Sequence, residues 1–186
     1  MKQTILHGKH LSLNAKMVEY AGFSMPLQYE GIAEEHKTVR HNLGIFDVSH
    51  MGEFLIEGPD AIPFVNYLIT NTIAGYSDKV TYSLMTDENG FVVDDLLAYV
   101  LSPSKVLLVV NAGNIDKDFA WVEAQNSGFN ATAINQSEQY SQIAIQGPKA
   151  IEVIDAIVGS VVSDLKFMTY RYVTFEGMDV IVSRTG

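Results

Sequence analysis

Two adjacent carboxylates, Asp94 and Asp95, sit inside an otherwise apolar run from Phe91 to Leu101. Successive side chains leave a strand on opposite faces, so the two acids must diverge. Asp95 shares a face with Leu97 and Tyr99, and Asp94 shares the other with Leu96 and Ala98. If one face is core, one carboxylate points where charge is costly unless it is partnered. A cleft carboxylate of this kind can hydrogen-bond the nitrogens of a flat heterocycle. Tyr99, and Tyr82 on the partner strand, would supply the aromatic surface. Asn111, at the end of the apolar run Val106–Val110, either bonds a turn or faces the same cleft. Pattern alone favours a plainer expectation, in which an Asp on an edge strand blocks edge-to-edge pairing.

A second cluster, Asp47, Ser49 and His50, lies within four residues. The spacing argues against a hydrolytic triad. Triad members converge from separate segments, neighbours on an extended strand diverge, and no Gly-x-Ser-x-Gly elbow exists. Ser49 and His50 are expected to satisfy local backbone groups instead. His7 and His10, and His36 and His41, have no carboxylates at ligand spacing, so no metal is expected. Neither a dinucleotide-binding Gly-rich fingerprint nor a P-loop is present.

The 186 residues suffice for one large domain or two small ones, and 47% hydrophobic with 18% charged content is that of a globular chain. A net charge of -10 argues against nucleic acid or an anionic membrane as partner. The absence of cysteine excludes disulfides and thiolate metal sites on this chain. No signal peptide or membrane-length apolar run is found, so the expected compartment is the cytoplasm.

Several elements must position these groups. Strands are expected over Thr81–Met85 and Phe91–Leu101, joined by a turn ending in Asn89-Gly90. A buried strand is expected over Val106–Val110. A helix capped by Asn114 then presents Ile115, Phe119 and Val122 on one face. Ile32–Asn42 reads as a helix with early acids, late bases and Gly44 as its C-terminal signal. Tyr170–Phe175 and Val180–Ser183 read as a final hairpin. A repeat stands out: Ile56-Glu57-Gly58-Pro59-Asp60-Ala61-Ile62 returns as Ile145-Gln146-Gly147-Pro148-Lys149-Ala150-Ile151. Each copy reads as strand, Gly-Pro turn and helix, with Pro at the first helical position. Pro63 should distort the first of these helices. The end, Ser183-Arg184-Thr185-Gly186, reads as an interruption.

The segments Gly44–Glu53, Gly22–Leu27, Thr81-Tyr82-Ser83, Asp94-Asp95-Leu96, Val110-Asn111-Ala112, Gln146-Gly147-Pro148 and Ser183–Gly186 together resemble, in order, the glycine cleavage system T-protein family of aminomethyltransferases. Phe23, where Trp is usual, and Asn14, where Gly is common, depart from the pattern. The resemblance implies an α+β fold of two antiparallel-sheet domains with flanking helices. Residues 1–50 and 138–186 would form an incomplete, discontinuous first domain, and 51–137 an inserted second one. A C-terminal barrel domain would be absent. The implied activity is transfer of a methylene carbon from the aminomethyl-lipoyl arm of H-protein to tetrahydrofolate, with release of ammonia. Asp95 would be the catalytic carboxylate. Met51, Tyr82, Leu97, Tyr99 and Asn111 would line the folate pocket, with Tyr170 a further candidate. This leaves edge-blocking only for Asp94. Since the family's downstream folate ligands are missing, little activity is expected from these residues alone. The rival readings are the folate domain of a dimethylglycine or sarcosine dehydrogenase and a non-catalytic folate-binding module.

Overall fold

The computed structural model describes residues 1–159 and 161–186. At its centre is a five-stranded antiparallel sheet in the order β5-β6-β7-β4-β8. Its strands are β4 (Gly52–Glu57), β5 (Val80–Thr86), β6 (Val92–Ser102), β7 (Lys105–Val110) and β8 (Thr132–Asn135). The expected strands all form. β7 lies between β6 and β4, and every residue from Val106 to Val110 is buried, which accounts for its unbroken aliphatic run. The β5–β6 turn closes with the Gly90 N–H donating to the Asp87 carbonyl at 3.0 Å, with Gly90 at φ 83°.

The sheet is covered on both faces. On one face α3 (Ala61–Leu68) and α4 (Ile115–Gln125) complete a core built on Phe54, Ile56, Leu96, Ala98, Val106, Leu108 and Val110. Phe64 and Val65 enter it from α3 and Val122 from α4, and Phe119 packs edge-on against Phe54 with ring centroids 5.1 Å apart. On the other face Val80, Tyr99, Leu107 and Val109 pack with Tyr170 and Ile181 of the hairpin β10 (Thr169–Phe175) and β11 (Met178–Arg184).

The remaining elements flank this sheet. α1 (His7–Ser12) leads into the hairpin β1 (Lys16–Tyr20) and β2 (Phe23–Gln28), which α2 (Ile32–His41) follows. β3 (Gly44–Asp47) pairs antiparallel with β9 (Ile143–Gln146), and α5 (Ala150–Val158) comes next. The start of α2 is tied from within: Glu35 Oε1 accepts the backbone N–H groups of Tyr29, Glu30 and Gly31. Those bonds hold the Glu35 carboxyl below its usual range.

Four expectations are corrected. β6 has neighbours on both sides, so Asp94 cannot be an edge blocker. Gly44 opens β3, and α2 ends at Asn42. Asp60 and Lys149, not Pro59 and Pro148, immediately precede the helices; each Pro stands one residue earlier, after a glycine at φ 131° or 123°. Pro63 falls in the first turn of α3, whose N–H groups have no intrahelical partner, so the helix runs through it. The repeat itself is present as β4–α3 and β9–α5.

Candidate functional site

β6 carries the two acids to different fates. Asp94 faces the helical layer and is only 5% exposed. Its carboxylate accepts the Asn111 backbone N–H at 3.0 Å, Asn111 Nδ2 at 3.0 Å and Asn114 Nδ2 at 2.8 Å. Burial pushes the Asp94 carboxyl up, but hydrogen bonds from Asp118, Asn111 and Asn114 outweigh it and hold it below the usual range. Asn114 stands at the start of α4 as expected, but its amide serves Asp94 and makes no cap bond to the helix.

Asp95 faces the other way, into a cavity of about 590 Å³ lined by Met51, Tyr82, Leu97, Val109, Asn111 and Phe167, among others. Its Oδ2 accepts the Tyr82 hydroxyl at 3.0 Å and its Oδ1 accepts Asn111 Nδ2 at 3.1 Å. Tyr82 is 50% exposed, and its bond to Asp95, followed by burial and the nearby negative charges, raises its hydroxyl pKa. Every partner of Asn111 Nδ2 is an acceptor: Asp94 Oδ1, Asp95 Oδ1 and the Asp95 carbonyl. The Asn111 amide is therefore oriented with its NH₂ toward the acids, leaving Oδ1 as its uncommitted atom. The wall thus combines acceptor oxygens with apolar and aromatic surface, suited to a flat ring bearing N–H donors.

Met51, Tyr82, Leu97, Asn111 and Asp95 meet around this cavity. Tyr99 and Tyr170 lie behind its wall, buried in the cluster that includes Val109 and Leu97. The Tyr99 hydroxyl is 3.1 Å from Ser183 Oγ, and the Tyr170 hydroxyl donates to the Val100 carbonyl at 2.7 Å. Burial raises the pKa of both, Tyr170 to about 12.

The sequence reading missed Gln142, Phe167, Met168 and Thr185 on the same cavity. They come from distant connecting segments without periodic pattern. Gln142 is held by Ser49, whose Oγ donates to the Gln142 carbonyl at 3.2 Å and accepts its N–H at 3.0 Å. Ser49 thus satisfies backbone groups, though of a segment remote in sequence. Asp47 is bound elsewhere, accepting from Thr4 Oγ1 at 2.6 Å and lying 2.9 Å from His10 Nε2. His50 packs edge-on against Tyr20 and Phe23, so no triad forms. Among the described residues no cluster of three or more His, Cys, Asp or Glu could hold a metal. Among them, too, no helix is long and apolar enough to cross a membrane.

An α+β chain with an acid-lined cavity against a five-stranded antiparallel sheet is the class defined by this fold and site. The fold matches the crystal structure of glycine cleavage system aminomethyltransferase T from Bartonella henselae, with a TM-score of 0.83 and 33% identity over 91% of this chain and 46% of that one. The chain belongs to the family described as the GCVT N-terminal domain, matched over residues 6–186. Proteins named aminomethyltransferase from Thermotoga sp. (strain RQ2) and Moorella thermoacetica are each 46% identical over the whole chain. The chain spans about half the length of these curated relatives, 51% in each case. A heterotetrameric sarcosine oxidase from Corynebacterium sp. U-96 shares the fold at a TM-score of 0.61 and 12% identity, over 83% of this chain and 77% of that one.

Proposed function

We propose that this chain forms the Asp95-bearing half of an aminomethyltransferase site that acts on tetrahydrofolate in the cytoplasm. The single observation that carries the reading is Asp95, held by Tyr82 and Asn111 at the wall of a largely apolar cavity in a member of this family. Asp95 and Asn111 Oδ1 offer acceptors to the N–H groups of a reduced pterin, while Met51, Leu97 and Phe167 offer apolar contact to its rings.

In the proposed reaction the substrate is the aminomethyl group on the lipoyl arm of H-protein. Its carbon breaks bonds to sulfur and to the amino nitrogen and forms bonds to two folate nitrogens. The two protons leaving those nitrogens balance the freed lipoyl thiol and ammonia. Asp95 orients the pterin and stabilises positive charge as it develops on the carbon in transfer. It also lies where it can assist proton movement as the attacking nitrogen bonds. The apolar walls strengthen these electrostatic effects by excluding water.

The domain division belongs to the same proposal, with residues 1–50 and 138–186 as one domain and 51–137 inserted in it. Two observations support it: β3 pairs with β9, and the five-stranded sheet is drawn wholly from Gly52 to Asn135. Titration of this chain with tetrahydrofolate by calorimetry tests the reading. Saturable binding that Asp95→Ala weakens is expected. Absence of binding, or equal binding by Asp95→Ala, would overturn it.

A further inference from the structure

Behind Asn111 lies a second buried acid. Asp118, on α4, is 0% exposed. Written as a carboxylate, it has no hydrogen-bond donor at either oxygen. Lys117 Nζ is 3.6 Å from Oδ1 but donates to the Val93 carbonyl. The group facing Asp118 from the sheet is the carboxyl of Asp94, itself buried. Two buried carboxylates in contact repel and are both poorly solvated, and one proton between them relieves both costs. Asp94 is the member that stays ionised, because it takes the N–H groups of Asn111 and Asn114. Asp118 has no such donors, so the proton resides there. Burial, then the bond to Asp94 and its charge, push Asp118 to about 8, against the opposing pull of Lys117.

We propose that Asp118 is a positioning residue for the Asp95 site, donating a retained proton to Asp94 so that the pair, carrying one negative charge, fixes the orientation of the Asn111 amide. The relay runs from Asp118 to Asp94, from Asp94 to Asn111, and from Asn111 to Asp95 and the cavity. A flipped amide would set Oδ1 against two carboxylates, so the charge on Asp94 selects the orientation. Ionisation of Asp118 restores the repulsion and loosens the contact that aligns Asp94 with Asn111. The charged groups facing Asp118 are Asp94 from β6 and Lys117 from its own helix. The ligand in this proposal rests on the folate reading above; the relay itself does not.

The test compares wild type with Asp118→Asn, which keeps a donor toward Asp94 and cannot ionise, and Asp118→Leu, which keeps volume without a donor. In wild type the Asn111 side-chain amide NMR signals should move between about pH 7 and 9, following Asp118. In Asp118→Asn that movement should vanish while tetrahydrofolate affinity is retained. In Asp118→Leu affinity should fall about tenfold, as for loss of a hydrogen bond to a charged group. Asn111 signals that ignore this pH range, or that move equally in Asp118→Asn, overturn the relay. So does a folded Asp118→Leu that binds as wild type does. Should Asp118→Leu not fold, the Asp118→Asn comparison decides alone. If wild type binds no tetrahydrofolate yet the Asn111 movement is present and lost in Asp118→Asn, the folate reading fails and the relay stands.

Discussion

The Tyr82 hydroxyl meets Asp95 on the diagonal: backbone pairing sets Tyr82 opposite Leu97, yet its oxygen lies 3.0 Å from Asp95 Oδ2. Cross-strand diagonal neighbours are within reach of an aromatic side chain on the same face. The bond therefore holds the acid at the cavity wall from β5, while Asn111 holds it from the end of β7.

Asp95→Asn keeps the shape of the acid and removes its charge. We expect tetrahydrofolate affinity to fall about tenfold or more, with unfolding free energy within about 0.5 kcal/mol of wild type, since the side chain is only partly buried. Calorimetric titration and urea unfolding on one preparation separate the two effects. A large stability loss would mean that the group is structural.

Glu53 is 3% exposed with no partner for Oε2, and burial pushes it up to about 8. The folded state therefore binds its proton more tightly than the unfolded chain does, and stability falls as pH rises from about 4.5 to about 8. Asp118, raised to about 8, acts with the same sign. Glu53→Gln should flatten the decline by on the order of 1 kcal/mol per pH unit in that window. Parallel stability curves for the two proteins between pH 5 and 8 would be the contrary result.

Asp47 behaves in the opposite sense. Burial raises it, but bonds from Thr4, His10 and Ser49 outweigh burial and hold it below its usual range. Its contribution is present above the ordinary Asp range and is lost as pH falls through the depressed folded value. Asp47→Ala strands His10, whose Nε2 lies 2.9 Å from the carboxylate, and should cost about 3 kcal/mol at neutral pH. Thermal unfolding of the variant at pH 7 and at pH 3 reads this out: the deficit should shrink in acid.

Gly147 stands at φ 123°, and a Cβ there would lie 2.5 Å from the Asn42 carbonyl oxygen and 2.7 Å from that of Val39. Both atoms are backbone at the end of α2, so neither gives way cheaply. Gly147→Ala should destabilise by about 2 kcal/mol or more. An unchanged urea midpoint would show that the turn has room to shift.

The alternation along β6 was enough to separate Asp95 from Asp94 and to group Asp95 with Leu97, because strand parity is a local property. The aliphatic run of β7 and the Asn89-Gly90 turn announced their elements for the same reason. The face of α4 held a signal that was passed over: Asp118 falls between Ile115 and Val122 at helical spacing, an acid on an apolar stripe. What that acid does depends on Asp94 reaching it from β6, and that β6 is an interior strand is decided by β5 and β7 pairing on either side of it. Chain pattern cannot say which strands become neighbours, so the edge-blocking expectation for Asp94 was reasonable and wrong. The residues themselves determined the order of elements and the side of the strand on which Asp95 leaves. Only the tertiary structure decided the rest, because burial and hydrogen-bond partners belong to the packing of distant segments. It turned Asp94 into a buried anchor, set Tyr99 and Tyr170 behind the wall, and brought Gln142, Phe167 and Met168 to the cavity.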